Sequence, residues 1–472
     1  MVRRTKIVCT LGPATDSERV LCALIRAGMD VARLNFSHGT LADHARRIRA
    51  VRSAGRKLGK PVAILQDLCG PRLRLGAFRA GQVTVRDRAE FVITTEPVQG
   101  DESRAQVQLP ELPRFLSRGD RVLLADGAIE FRVVRVSKDE ILCRVAKGGL
   151  LRSHQGMNVP DTALPIPAFT RKDRTDLVFG IRHRVDWVAM SFVSKAADIE
   201  PARALLRKHR SRAPLIAKIE KREAVQNLEE IIAASDGVMV ARGDLGVEVA
   251  LDQVPVLQKR MIRLCNQAGK PVITATQMLE SMISSPRPTR AEVSDVANAV
   301  LDGTDAVMLS GETAVGRYPV AAVRIMARTA ARAETDLDFE AIRRAHAASR
   351  CADPTESAAE AACMIAHDLR ASAIICNTSS GFTARMVSKH RPDTPIIAVT
   401  PSQETLRRIA LLWGVRPVLV ARSKNTDEML SRAIAGAVRS GAVQRGDLVV
   451  VTAGVPIGIP GHTNLIKIAK VP

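Results

Sequence analysis

Lys218-Ile219-Glu220 places an ammonium and a carboxylate two residues apart at the end of a short apolar run. Residues two apart in an extended strand share a face, so the pair can aim at one point. Arg242-Gly243-Asp244 ends the next such run. On adjacent parallel strands Glu220 and Asp244 become neighbours. Two carboxylates suffice to hold a Mg²⁺ that keeps several waters and takes substrate oxygens. Lys218 and Arg242 would then neutralise an anionic ligand. A structural ion-pair network is the competing reading, because such networks use the same residue types. Repetition of one logic at two adjacent strand ends favours a site. Gly243 lets a ligand approach the backbone closely. Thr276 offers a hydroxyl at another strand end, although a β-branched strand residue needs no further reason to be there. Arg33, Asn35, Ser37 and His38 offer four polar groups within six residues. Taken singly, His38 reads more simply as a core or rim histidine.

The elements that position these groups are short apolar runs alternating with helical patterns. The runs are Lys6–Thr10, Asp30–Phe36, Val62–Asp67, Trp187–Phe192, Leu215–Glu220, Gly237–Ala241, Val272–Thr276 and Ala306–Leu309. Nearly continuous apolarity marks parallel strands buried on both faces. Ser17–Ala27 and Pro255–Ala268 read as helices, with Gly28 and Gly269 at their C-terminal caps. Eight strand–helix units predict a (β/α)₈ TIM barrel, an α/β fold whose chemistry sits at the carboxyl ends of the strands. The expected barrel spans residues 1–70 and 159–344. Between its third and fourth strands, residues 71–158 are rich in Val, Arg and Asp-Gly turns and predict a small inserted β domain, a lid above the barrel mouth. Residues 345–472 predict an open-sheet α/β domain with strands Ser372–Asn377, Thr394–Thr400, Pro417–Ala421 and Asp447–Thr452, joined through a linker at Ala345–Thr355.

Composition narrows the function classes. The chain has 472 residues, 46% of them hydrophobic but only 3% aromatic, and a formal charge of +21 from 70 Lys+Arg against 49 Asp+Glu. The arginines are scattered, and one Tyr with two Trp is thin material for stacking bases. The expectation is therefore no nucleic acid. No apolar stretch reaches the roughly 18 residues of a membrane span. The eight cysteines form no C-x-x-C pair and read as reduced thiols of a cytoplasmic protein.

Longer motifs carry a resemblance. Lys6-Ile-Val-Cys-Thr-Leu-Gly-Pro-Ala14, Asp30-Val-Ala-Arg-Leu-Asn-Phe-Ser-His-Gly39, Ile216-Ala-Lys-Ile-Glu220 and Met239-Val-Ala-Arg-Gly-Asp-Leu-Gly-Val-Glu248 resemble the pyruvate kinase family. So do Ala275-Thr-Gln-Met-Leu279, Pro286-Arg-Pro-Thr-Arg-Ala-Glu292, Ser294-Asp-Val-Ala-Asn-Ala-Val-Leu-Asp-Gly303 and Met308-Leu-Ser-Gly-Glu-Thr313. The resemblance implies phosphoryl transfer from phosphoenolpyruvate to ADP, giving pyruvate and ATP in glycolysis. It implies Mg²⁺ or Mn²⁺ on Glu220 and Asp244, and Lys218 stabilising the phosphoryl group in flight. Arg33 would contact the substrate phosphate; Gly243, Asp244 and Thr276 its carboxylate. Thr276 and Ser310 would adjoin the water chain that protonates the enolate. Asn35, His38 and Arg74 would belong to the nucleotide side. The resemblance also implies a mobile lid and a cytoplasmic homotetramer.

Three positions depart from the family pattern. K⁺-using members hold the ion with residues matching Asn35, Ser37, Asp67 and the residue after it, often Thr, which is Leu68 here. The position often occupied by Glu in those members is Arg72, so the expectation is an enzyme that needs no K⁺. Gln155 stands where the lid often has a nucleotide-contacting Lys. Thr378, Ser379, Ser380, Gly381 and Thr383 resemble the family's effector-phosphate loop, with Phe382 where an Arg is common. A strand-to-helix turn rich in hydroxyls suits a phosphate, although capping Ser and Thr would look similar. The expected effector is a sugar monophosphate or AMP rather than a bisphosphate. Two rivals remain to be weighed. A lyase or aldolase barrel would share the Glu–Asp pair but lack the insert and C-terminal domain. A basic binding protein on a dead barrel would have lost Lys218, Glu220 or Asp244, and all three are present.

Overall fold

A computed structural model describes residues 3–162, 164–348, 353–456 and 461–472. Eight parallel strands close into a barrel: β1 Lys6–Thr10, β2 Val31–Asn35, β3 Ala63–Asp67, β4 Trp187–Met190, β5 Leu215–Ile219, β6 Gly237–Ala241, β7 Val272–Ala275 and β8 Ala306–Leu309. Every residue of these strands except Asn35 is buried, which is why they read as continuous apolar runs rather than alternating ones.

Strand periodicity sorts the side chains into two cores. Ile7 and Cys9 face the surrounding helices, whereas Val8 joins Val31, Leu65, Ala189 and Ile216 inside the barrel. Two residues further along the same strands the parity delivers Thr10, Arg33, Asp67, Ser191 and Lys218. One inward ring at the carboxyl-terminal mouth is thus polar, directly above an apolar one. The bottom of the barrel is plugged by Ala410 and Leu411 of the C-terminal region, which belong to the same interior core.

The insert between β3 and β4 builds a seven-stranded, mainly antiparallel sheet and a two-stranded ribbon around one core that includes Leu75, Phe91, Phe131 and Leu151. The C-terminal region forms a five-stranded sheet in the order β11-β10-β9-β12-β13, from β9 Ala373–Asn377, β10 Ile396–Thr400, β11 Val415–Leu419, β12 Leu448–Ala453 and β13 Leu465–Lys470. The sequence pattern misses β13, an antiparallel edge strand. The expected linker at Ala345–Thr355 is helical at both ends: helices Phe339–Ala348 and Pro354–Asp368 run into it, and 349–352 lie outside the described residues. Ser17 caps the first helix through Val20 N, and Gly28 ends it at φ +131°. Cys9, Cys22, Cys143, Cys265, Cys363 and Cys376 are buried free thiols, Cys69 is half-buried, and Cys351 lies outside the described residues. Among the described residues no helix is long and apolar enough to cross a membrane.

Candidate active site

Lys218 sits at the centre of the polar ring. Its Nζ lies 2.7 Å from Glu220 Oε1 and 3.4 Å from Asp67 Oδ1, and it donates to Ser191 Oγ at 2.7 Å. Burial works against its charge, but the Asp67 and Glu220 carboxylates outweigh that and hold the ammonium charged. Arg33 donates from Nε to Asp67 Oδ2 at 2.7 Å and from Nη1 to Thr10 Oγ1 at 2.9 Å. Burial pushes the Asp67 carboxyl up; Lys218 and Arg33 more than reverse that and keep it ionised.

Glu220 differs. It is fully buried, and its Oε2 accepts from Phe192 N at 2.6 Å. Its proton affinity is raised by burial, relieved in part by Lys218 and increased again by the nearby Asp244 charge. Its Oε1 lies against the Lys218 ammonium. A raised proton affinity in a buried carboxylate beside a second one marks more negative charge than Lys218 alone offsets. That is the condition a divalent cation would relieve, so these residues fit one. Among the described residues no three His, Cys, Asp or Glu side chains group to close a coordination sphere. Any such ion would therefore keep sites for water and substrate oxygens.

Asp244 opens the helix Arg242–Glu248, and Arg72 Nη2 stands 3.6 Å from its Oδ1. The Arg72 guanidinium also lies over the Phe192 ring, 5.7 Å from its centroid. Arg242 does not face a ligand, contrary to the sequence reading. It pairs with Asp295 through both Nη atoms, at 2.6 and 2.7 Å, and donates to the carbonyls of Ala275 and Thr276. Its charge is spent clamping the turn after β7. That turn needs a clamp, because Thr276 and Gln277 both take positive φ, +66° and +54°. So held, Thr276 Oγ1 accepts from Gly243 N at 2.8 Å. Glu312, to which the sequence reading gave no role, is fully buried and accepts from Ser310 N and Leu279 N, tying the exits of β7 and β8 together.

Gly243 is not demanded by the protein around it. A Cβ there would meet Thr276 Oγ1 at 3.5 Å, an ordinary contact, and its φ is not positive. Gly243→Ala should therefore leave the melting temperature unchanged or slightly higher, since Ala is the better helix former by about 1 kcal/mol. If a ligand packs on this backbone, the methyl instead raises substrate KM about tenfold or more. An unchanged KM would show that nothing packs there.

At the exit of β2, Asn35 Oδ1 accepts from Ser37 N at 3.1 Å, and His38 is exposed. Partial desolvation of the ring, then the Arg72, Arg74 and Arg33 charges, lower the His38 pKa. Arg74 donates to His154 O. Leu68 offers no side-chain oxygen, and its carbonyl already accepts from Ser191 Oγ at 2.8 Å. His44 supports this loop by stacking on Phe36 at 4.0 Å and by its Nε2 contact with His38 O at 3.0 Å. Burial lowers the His44 pKa to about 4. The unfolded chain takes up that proton near pH 6.5 and the folded one does not, so stability falls as pH drops from about 6.5 to 4. His44→Phe should flatten this part of the melting-temperature profile; an unaltered slope would place the effect elsewhere.

The insert meets the barrel mouth where Asn158 Nδ2 donates to Glu248 Oε1 at 2.9 Å. The cleft between them is lined by Arg72, Phe192, Lys221, Asp244 and Glu248. Gln155 is half-buried beside it, its carbonyl accepting from Leu75 N. Far from this cleft, the 378–383 loop edges a separate cavity of about 680 Å³ that Arg212, Arg408, Arg422 and His462 also line. Ser379 and Ser380 are exposed to it, whereas Thr378 Oγ1 turns back to accept from Gly381 N and Thr383 Oγ1 accepts from Thr463. Gly381 has φ +93°.

A closed barrel whose mouth gathers a buried ammonium, an arginine and two neighbouring carboxylates has the form of the enzymes that handle small polyanions. Residues 2–323 match the family description "Pyruvate kinase, barrel domain" and residues 356–469 "Pyruvate kinase, alpha/beta domain". The chain belongs to the pyruvate kinase family and is an enzyme of the transferase class. It is 48% identical over 471 residues to a pyruvate kinase of Geobacillus stearothermophilus, covering 99% of this chain and 80% of that relative. It is 43% identical over 472 residues to a pyruvate kinase of Clostridium acetobutylicum, covering 100% of both. The crystal structure of a pyruvate kinase from Cryptosporidium parvum superposes with a TM-score of 0.93 at 38% identity, over 100% of this chain and 96% of that one.

Proposed function

We propose that this enzyme transfers the phosphoryl group of phosphoenolpyruvate to ADP, giving pyruvate and ATP, as a cytoplasmic homotetramer. The observation that carries the reading is Lys218 Nζ, fixed by Ser191, Glu220 and Asp67 in the barrel mouth, with the Asp244 carboxylate near Glu220. Glu220 and Asp244 would hold a divalent ion, Mg²⁺ or Mn²⁺, which would supply charge neutralisation to the phosphoryl oxygens. Lys218 stabilises the group in flight, whose loose transition state asks for charge and position rather than covalent chemistry. Arg33 orients the substrate phosphate. Backbone groups around Gly243 and Asp244, with Thr276, hold the substrate carboxylate. Thr276 and Ser310 order the water that protonates the enolate. Asn35, His38 and Arg74 serve the nucleotide, and Arg72 replaces K⁺.

A sugar monophosphate or AMP at the 378–383 loop activates the enzyme. Phe382, standing where an Arg would serve a second phosphate, disfavours a bisphosphate. Calorimetry with glucose 6-phosphate, ribose 5-phosphate and fructose 1,6-bisphosphate tests this; tightest binding by the bisphosphate would refute it. The reaction itself is tested by coupling pyruvate formation to NADH loss with phosphoenolpyruvate, ADP and Mg²⁺. Pyruvate formation that disappears in Lys218→Met supports the reading, and none in the native enzyme would end it.

A further inference from the structure

Both ends of β4 are tied to something that matters. At its amino end, Asp186 is fully buried; its Oδ2 accepts from Arg52 Nη2 at 2.7 Å and from Ile64 N at 2.8 Å. Its Oδ1 accepts from Arg407 Nε, 2.9 Å away in the C-terminal region. The next residue, Trp187, donates from Nε1 to the Arg408 carbonyl at 3.1 Å. Arg407 and Arg408 end the helix Gln403–Arg408, whose Glu404, Thr405 and Arg408 wall the 378–383 cavity. Arg408 is itself paired with Glu404 inside that wall. One helix therefore faces the cavity on one side and grips the barrel floor on the other.

At the carboxyl end of β4, Ser191 is 3% exposed. Its Oγ accepts from Lys218 Nζ and donates to Leu68 O, and the following Phe192 N donates to Glu220 Oε2. Phe192 takes positive φ, +57°, so the backbone is bent deliberately into this contact. Between the two ends every residue of β4 is buried and the strand is hydrogen-bonded to β3 and β5. A strand paired on both sides and packed on both faces shifts as a unit.

We propose that Ser191 is a positioning residue for Lys218, and that β4 carries the state of the C-terminal cavity to it through the Arg407–Asp186 contact. The inference rests on the phosphoryl-transfer reading for its kinetic readout. Nothing in it requires Ser191 to touch substrate. Its hydroxyl fixes one of the three directions available to the ammonium, the others being set by Glu220 and Asp67. A ligand that competes with Glu404 for Arg408 moves the helix that holds Asp186.

The test uses the full-length enzyme as Ser191→Ala, Ser191→Cys, Arg407→Gln and the Ser191→Ala/Arg407→Gln double variant. A hydrogen bond to a charged group is worth about tenfold or more in rate when it acts only on the reacting arrangement. Ser191→Ala should thus lower kcat about tenfold with KM for either substrate nearly unchanged. Ser191→Cys, which keeps the volume but hydrogen-bonds poorly, should fall comparably; full activity in that variant would reduce Ser191 to a space-filler and overturn the positioning role. Asp186 and Ser191 lie roughly 16 Å apart along the strand, a separation at which independent effects add. Arg407→Gln should lower kcat about threefold in the native background and not at all beside Ser191→Ala. Simple additivity would overturn the coupling. If the native enzyme showed no phosphoryl transfer, that would be a failure of the functional reading alone. Amide exchange of residues 188–192 then decides: acceleration in Arg407→Gln supports the strand linkage, and unchanged exchange overturns it.

Discussion

Lys218→Met lowers kcat about 10³-fold or more while leaving divalent-ion binding in place. The rate loss follows from removing the buried ammonium held in the barrel mouth, because a preorganised charge in a water-poor site is worth several kcal/mol to a transferring phosphoryl group. Retained ion binding follows because Glu220 and Asp244 are untouched; Mn²⁺ titration by electron paramagnetic resonance reads it directly. The variant also loses stability. Arg33 still answers Asp67, but Glu220 is left as a buried carboxylate without its cation, at a cost of about 3–5 kcal/mol. The sign with pH is definite. Glu220 already holds its proton more tightly than an ordinary carboxyl, and loss of Lys218 tightens it further. The penalty is therefore full above the folded pKa and fades as pH falls through it. Melting temperatures of native and variant protein should converge on acidification. A gap that widens at low pH would contradict the assignment of Glu220 as the uncompensated group.

Arg72→Glu converts the enzyme to K⁺ dependence. In the native site Arg72 stands 3.6 Å from Asp244 Oδ1, and the Asp244 and Glu220 charges outweigh its burial and hold its proton tightly. A glutamate there places a third carboxylate where an anionic substrate must enter. Activity without K⁺ should fall about 10²-fold or more, since like charges brought together in a partly buried site cost several kcal/mol. Added K⁺ should restore much of it, whereas the neutral Arg72→Met variant falls less and responds weakly. Two outcomes would remove Arg72 from this role: native activity that itself requires K⁺, or full activity of Arg72→Glu in K⁺-free buffer.

The barrel was legible because burial on both faces writes β1 to β8 as uninterrupted apolar runs, and the observed strands fall within about two residues of those runs. β13 escaped for the opposite reason. It is an edge strand, half of it exposed, and Lys467 and Lys470 interrupt its apolar pattern. β11 is displaced by two residues from its expected position, its Pro417 tolerated because the strand lies at the other edge of the sheet. The site was legible as residue types at strand ends, and strand parity alone brings Arg33, Asp67 and Lys218 together. Direction was not legible. Arg242 sits one residue from Gly243, yet its side chain turns to Asp295, because the carbonyls of a strained turn needed a donor. Ser191 was within reach: it shares the parity of Ala189 inside an expected strand. A serine at a strand end does not announce itself, however, until Lys218 is seen beside it.

The insertion between β3 and β4 has a consequence for how the chain is made. These strands are hydrogen-bonded neighbours, Leu65 opposite Trp187, yet the whole insert separates them. On a ribosome adding about 5–20 residues per second, β1 to β3 wait several seconds for a partner. The insert has a complete core of its own and is free to fold in that interval. Because closure entropy grows only logarithmically, a preformed insert that brings its two ends together lowers the cost of joining β3 to β4. The segment that meets the barrel mouth in the finished enzyme would thus be a clasp during synthesis, fastening the first three strands to the remaining five.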